Sequence, residues 1–439
     1  MEIVVQLCLT IVYCYVAWNF VSKIIRSIVL FLISIFSFQI LISIFDFNGN
    51  TLVSISTYIL FNINIISFVL GCCLVNRLTI SKIKKTNILC LNYIRNINMT
   101  ILIHLFFIII LIYYYNRMLS ILSIAAIDEK ARNIFWETGG LFRTYKERFF
   151  YLYVVMNYKY IASFYFSILF IKKNKTKKEN ILFTLTVVFL LLIVLIGQGR
   201  IDLLMLGIYL LITMLVVKKV SIVIFRYAHK KVVLLFATIF VFISTVSMAR
   251  FGLNVDIRTF QNEFRWAVLS PFIDYFAFPI TSFEYAKNVI FSEVGFFYGG
   301  ATFAGLQELV LAPILFIDTS ISQYLFNEQL GNLMSEFHTI NGVYWNALYS
   351  TVLNYYIDFG WFGCIFFPML FGGVYVYILK YCSRNFSQFN LLLILFFSFS
   401  YFRMLFCCPF QSMEFWTALL LIYAYRVFMT KNVKLLLRS

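Results

Sequence analysis

The run ILFTLTVVFLLLIVLIG, Ile181 to Gly197, carries no charge over a length that matches the hydrocarbon core of a bilayer when coiled into a helix. Runs of this kind recur along the whole chain, and they dictate the fold class. A backbone inside hydrocarbon must satisfy its own peptide groups, which leaves helices or closed barrels. Barrel strands would be about half as long and would alternate in polarity, so helices are predicted. Eleven spans are expected, at 2–20, 27–45, 51–75, 97–116, 149–171, 180–197, 201–217, 232–249, 360–380, 389–407 and 414–430. Composition agrees, with 62% apolar and 13% charged residues against about half and a quarter in soluble domains. The expected class is therefore all-α, a single polytopic membrane domain over 1–439.

The first run reads as a retained span. Glu2 stands at its start and its basic residues, Lys23 and Arg26, follow it, the reverse of a secretory signal. The nine cysteines lie in or beside apolar runs with no C-x-x-C pair, and read as small buried hydrophobes.

Charge fixes an expected orientation. Alternate short loops hold 22 basic residues, among them Arg77, Lys82 and Lys84, the lysines of KKNKTKK (172–178), Lys218, Lys219, Lys380 and Lys434. The opposite set has six between 117 and 148, Arg200, and four between 250 and 359. Positive charge stays inside, so the N-terminus is expected outside and the C-terminus in the cytoplasm. The net charge of +17 is then an orientation signal, and nucleic acid is not an expected partner.

Two outer segments are long: 117–148, containing AIDEKARNIFWETGG, and 250–359, rich in aromatics and including TFAGLQELVLAPILF. The second is expected to form short interfacial helices capping the bundle. Of the 19 acidic residues only Glu179 falls on the inner side, and no D-x-D occurs anywhere. A metal-assisted nucleotide-sugar transferase would need cytoplasmic carboxylates, so the working face is expected outside, with no metal or cofactor.

Candidate chemistry gathers at that face. Arg200 in GQGRID, Arg250 in SMARFG and Arg403 in SYFRMLFCC stand at similar depth near outer span ends. Arginine there either snorkels to lipid phosphates or faces a cavity, where its forked donors suit a diphosphate. Asp202 either orients Arg200 or neutralises it. His338 lies in SEFHTINGVYWNALYSTVLNYYIDFGWFG (335–363), either as an interfacial residue or as the acceptor of a hydroxyl proton. Asn341, Asn346 and Asn354 add sugar-compatible groups, and Asp358 reads as a helix cap. Lys159, mid-span in VMNYKYIA, is a costly charge that a substrate phosphate or a loop acid such as Glu293 would meet. Arg258 and Arg265 in DIRTFQNEFRW alternate with acids and read equally as surface pairs.

The overall layout, GQGR before the seventh span, IDYFAFPITSFEYA and FYGGATFAGL in the long outer segment, and NGVYWNALYSTVLNYYIDFGWFG before a late span resemble the Wzy-type oligosaccharide repeat-unit polymerases of O-antigen, capsule and exopolysaccharide synthesis. The resemblance implies a GT-C-like helical architecture in the bacterial cytoplasmic membrane and a substrate of undecaprenyl-diphosphate-linked repeat units. It also implies a flippase and a chain-length regulator as partners. O-antigen ligases are similar in layout; by that analogy Arg200 and Arg250 bind the diphosphate and His338 assists the acceptor hydroxyl. Two other classes remain: a lipid-linked oligosaccharide flippase or other transporter, which Lys159 favours, and a structural membrane scaffold.

Overall fold

The structure, a computed structural model, describes residues 2–22, 25–45, 53–78, 96–124, 141–172, 174–197, 200–220, 270–315, 317–335, 338–340, 343–345, 349–384 and 387–436. The first half supplies α1 (Glu2–Phe20), α2 (Arg26–Phe45), α3 (Ile55–Leu78), α4 (Ile97–Ile124) and α5 (Tyr145–Phe150). A π turn (Tyr151–Val155) leads into α6 (Tyr158–Ile171), followed by α7 (Lys177–Gly197) and α8 (Arg200–Val220). The second half supplies α9 (Ser270–Asn288), α10 (Ile290–Val294), α11 (Gly300–Leu315), α12 (Phe326–Ser335), α13 (Thr351–Arg384), α14 (Gln388–Arg403) and α15 (Met413–Leu436). One small antiparallel ribbon, β1 (His338–Ile340) with β2 (Val343–Trp345), is set among these helices.

Seven described helical stretches are long and apolar enough to cross a membrane: Glu2–Phe20, Arg26–Phe45, Ile55–Leu78, Ile97–Ile121, Tyr145–Ile171, Lys177–Ile196 and Thr351–Ser383. They coincide with the first six expected spans and the ninth. The expected seventh and tenth fall on shorter apolar helices, Ile201–Val216 and Gln388–Arg403. The eleventh lies within α15, and 232–249 lies outside the described residues.

Basic ends meet at one end of the bundle. Lys380 Nζ donates to the Asn76 carbonyl (2.7 Å), and Asn76 Nδ2 donates to that of Phe20 (2.6 Å). The last turns of α1 and α3 and the far end of α13 are thereby tied together. At the opposite end α9, from the long segment, is pinned to the start of α3. Glu284 accepts from Ser54 Oγ (2.7 Å), from Thr57 Oγ1, and from Lys287 Nζ (3.0 Å). Burial opposes ionisation of Glu284, but these donors outweigh it and hold the carboxyl below its usual range.

Helix α13 pairs with α3 through small residues, as helices do where lipid supplies no hydrophobic drive. A side chain at Gly71 would come within 1.9 Å of the Met369 carbonyl oxygen, and one at Gly372 within 2.3 Å of that of Phe68. Near its start α13 breaks: Phe359 and Gly360 leave helical geometry, Gly360 at φ 59°. That conformation is cheap only for glycine. Phe297 and Tyr298 then donate their backbone N–H groups to the carbonyls of Ile357 (3.1 Å) and Asp358 (3.2 Å), which the break leaves open. Gly363 lets the helix restart, since a Cβ there would lie 2.0 Å from the Tyr355 carbonyl oxygen. The sequence IDFGWFG therefore encodes an interruption inside a longer helix, whereas the sequence alone placed a span beginning at 360.

Gly372→Leu is expected to cost at least about 1–3 kcal/mol through overpacking. Its thermal unfolding in detergent should fall well below that of the wild type, while Leu370→Ala, altering a side chain on the exposed face, should change it little. Equal unfolding temperatures for Gly372→Leu and wild type would contradict the close α3–α13 contact.

Candidate functional site

Opposite the basic end, four charges from four helices converge. Lys159, on the first turn of α6, lies 3.0 Å from Asp202 Oδ1 on α8 and 2.9 Å from Glu414 Oε1 on α15. Arg403 Nη1, at the last residue of α14, lies 3.1 Å from Glu414 Oε2. Tyr160 Oη donates to Glu414 Oε1 (2.9 Å), and Arg403 Nη1 also reaches Tyr160 Oη (3.3 Å). Glu414 thus spans both cations with its two oxygens. The Lys159 side chain is 8% exposed and that of Asp202 9%, so the charges are matched inside the protein.

Local structure explains the convergence. The π turn at Tyr151–Val155 closes with Met156 N–H on the Tyr151 carbonyl (2.9 Å), widening the helix just before Lys159. Such bulges re-aim the side chains that follow. Asn157 then fastens this turn to α15, its Nδ2 donating to Thr417 Oγ1 (2.7 Å), to the Glu414 carbonyl (3.3 Å) and to that of Tyr153 (2.8 Å). Removing a cation from water is costly unless it is paired and hydrogen-bonded, and Lys159 is both.

A second polar node lies where the long segment meets the break in α13. Asp358 accepts from the backbone N–H groups of Ala301 (2.8 Å) and Thr302 (2.9 Å), capping the N-terminus of α11. Asp358 caps, as expected, but the helix it caps is a neighbour. Asn354 Nδ2 donates to the Ala301 carbonyl (2.8 Å) and to Gln411 Oε1 (2.9 Å). The polar stretch before the late span is, in these two residues, a brace between elements.

The expected site residues separate into groups. Lys159 and Arg403 are brought together. Lys159 meets Asp202 and Glu414 where a substrate phosphate or Glu293 was expected, and Asp202 serves Lys159. Arg200 is the first residue of α8, two positions before Asp202, which places its backbone at the rim of the cluster. His338 stands in β1 opposite Trp345. Arg250, Arg258, Arg265, Asn341 and Asn346 lie outside the described residues. Sequence reasoning missed Glu414 and Tyr160. The available signal was the acid in SMEFW at the same depth as Arg403, near two intramembrane cations in want of counter-charge.

Arg403 keeps donor capacity. Its Nε is buried with no hydrogen-bond partner among the described residues, and Nη2 approaches only the Cys407 sulfur, at 3.9 Å. A small cleft between α2, α3 and α13 is lined by Phe36, Phe68, Tyr355 and Phe371 together with Asn64, Ser350 and Thr351, and has room only for a water-sized group. Comparison with protein-family models, with curated proteins and with solved structures returns no match.

Lys159→Met leaves Asp202 without its cation and is expected to destabilise the protein by about 3–5 kcal/mol. Lys159→Met combined with Asp202→Asn restores neutrality around the remaining Arg403–Glu414 pair and should recover much of that loss. Chemical unfolding of the two variants in detergent measures the coupling, and additive losses would remove Asp202 as the partner of Lys159.

Proposed function

We propose that this chain polymerises lipid-linked oligosaccharide repeat units, transferring the growing glycan from undecaprenyl diphosphate to a hydroxyl of an incoming lipid-linked unit. On this reading the chain crosses a bacterial cytoplasmic membrane eleven times in a GT-C-like arrangement, with its N-terminus outside and C-terminus in the cytoplasm. The basic end of the bundle faces inward and the Lys159–Arg403 cluster outward. The observation that carries the reading is the buried charge cluster at the end opposite the basic chain ends, in which Arg403 Nε has no hydrogen-bond partner among the described residues.

The chemistry asks for such a place. Cleavage of a sugar–diphosphate bond builds oxocarbenium character on the sugar and negative charge on the departing phosphate. Guanidinium groups fixed before the reaction stabilise that charge without reorganisation. Lys159 and Arg403 are already balanced by Asp202 and Glu414, so the excess positive charge comes from Arg200 and Arg250. Arg403 adds its spare N–H, and the four-helix cluster holds the first turn of α8, with Arg200, in position. The N-terminal amides of α8 add a favourable end for an anion. The lipid tail runs between helices. His338 assists the acceptor hydroxyl in the ligase-like version of the mechanism. A flippase supplies the substrate and a chain-length regulator acts on the product.

Two features favour a second reading. The broken α13 and the buried Lys159 belong equally to a transporter, where discontinuous helices and intramembrane charges form the substrate site.

Deletion of the gene and electrophoresis of surface glycan separate the two. Single repeat units at the surface with no ladder support polymerisation; loss of all surface glycan with lipid-linked units held inside supports transport. Arg200→Ala and Arg250→Ala should each remove long chains while leaving protein in the membrane. Each is expected to slow transfer by about 10²–10³-fold, the usual effect of losing one preorganised donor. Wild-type chain lengths in both variants would take these arginines out of the mechanism.

A further inference from the structure

Glu308 stands apart from the other described carboxylates at this end of the bundle. Asp202 and Glu414 are held by Lys159 and Arg403, and Asp358 is spent on the N-terminus of α11. Glu147 pairs with Arg117 at 2.9 Å, and Glu284 with Lys287. Glu293, Asp318 and Glu328 are exposed. Glu308 is half-buried, and its hydrogen-bond partner is the neutral amide of Asn327, whose Nδ2 lies 2.8 Å from Oε1. No described cation pairs with it, and no described residue bonds its second oxygen.

Its place on α11 ties it to the turn that leads into Glu414. Gly305, one turn earlier on the same face, packs so tightly on the strip before α15 that a Cβ there would come within 2.4 Å of the Ser412 backbone. Ser412 precedes Glu414 by two residues. Asn327, which holds Glu308, also donates to the Gln411 carbonyl (2.9 Å), so α11, α12 and the turn leading to Glu414 are bound together. Glu308 is therefore linked through Asn327 to the turn that carries Glu414, on the segment that would cover the sugars.

We infer that Glu308 is the general base of the transfer, taking the proton from the acceptor sugar hydroxyl. The inference rests on the polymerase reading. The hydroxyl oxygen forms the new bond to the anomeric carbon as the bond from that carbon to the phosphate oxygen breaks. The leaving diphosphate keeps the electron pair, and the hydroxyl proton passes to Glu308 and thence to water. Burial, aided by the neighbouring Glu328, pushes the Glu308 carboxyl up against the opposing Asn327 hydrogen bond, the direction that makes a carboxylate a better proton acceptor. Glu414, clamped between two cations, is poorly suited to that task.

Glu308→Gln tests this, because its amide oxygen still accepts from Asn327 and preserves the packing. The assay uses purified full-length protein in detergent and lipid-linked oligosaccharide extracted from cells lacking it, with polymer length read on a gel. Glu308→Gln should lose at least about 100-fold in rate, within the usual range for a positioned base, with thermal unfolding and lipid-linked substrate binding unchanged. Glu308→Ala should regain part of its activity with added formate, which a purely structural role would not allow. An active wild type with an equally active Glu308→Gln overturns the assignment alone. A wild type that makes no polymer from this substrate overturns the polymerase reading, and the assignment with it.

Discussion

The structure at this end depends on one charge that cannot stand alone. A lysine on a helix otherwise built of apolar and aromatic residues must find carboxylates within the protein, and the nearest ones belong to α8 and α15. Meeting that need fixes the mutual height of three helices. Arg403 then brings in α14 as the fourth, because the second oxygen of Glu414 is the site that remains. A buried pair of this kind is weak evidence for stability, since an apolar substitute of similar volume often does as well. What it supplies is register: α6, α8, α14 and α15 can slide past one another as apolar cylinders, but with these four charges only one alignment is neutral.

The interruption in α13 has a related logic. At Gly360 the helix gives up its own hydrogen bonds, and the open carbonyls of Ile357 and Asp358 are taken by the loop at Phe297 and Tyr298. The same break frees the Asp358 side chain to cap α11. From there a continuous chain of amide contacts runs through Asn354, Gln411 and Asn327 to Glu308. The long segment is thus keyed to the bundle by polar contacts at a few sites, while aromatic packing such as Phe283 on Phe61, at 5.5 Å between ring centroids, adds apolar contact.

The spans were legible because hydrocarbon imposes a length, and seven of them reappear with boundaries shifted by a few residues. The arrangement of charge along the chain was legible for the same reason. Two further expected spans appear as shorter apolar helices, and each carries a charge of the cluster in a terminal turn: Asp202 in α8 and Arg403 in α14. Lys159 was visible as a charge in want of a partner, but its partners were not. Asp202 and Glu414 are far from it in sequence, and no local pattern encodes a pairing that only helix packing creates. Asp358 reads as a cap because an aspartate at the expected start of a span is a local signal. That it caps α11 was invisible, since the break at Gly360 turns the side chain towards a distant segment.

The charge balance constrains any anionic substrate. With Lys159 and Arg403 matched by Asp202 and Glu414, the cluster as it stands is neutral and has no net pull on a diphosphate. The N-terminal amides of α8, beside Asp202, are a described feature of this end that favours an anion. On the polymerase reading, a neutral cluster suits a group that must leave after each transfer. A fully unpaired cluster would hold the released diphosphate, and slow release limits many otherwise efficient enzymes. Glu414 is placed to set that balance, because it shares its two oxygens between both cations and is the only group touching Lys159, Arg403 and Tyr160 together among the described residues.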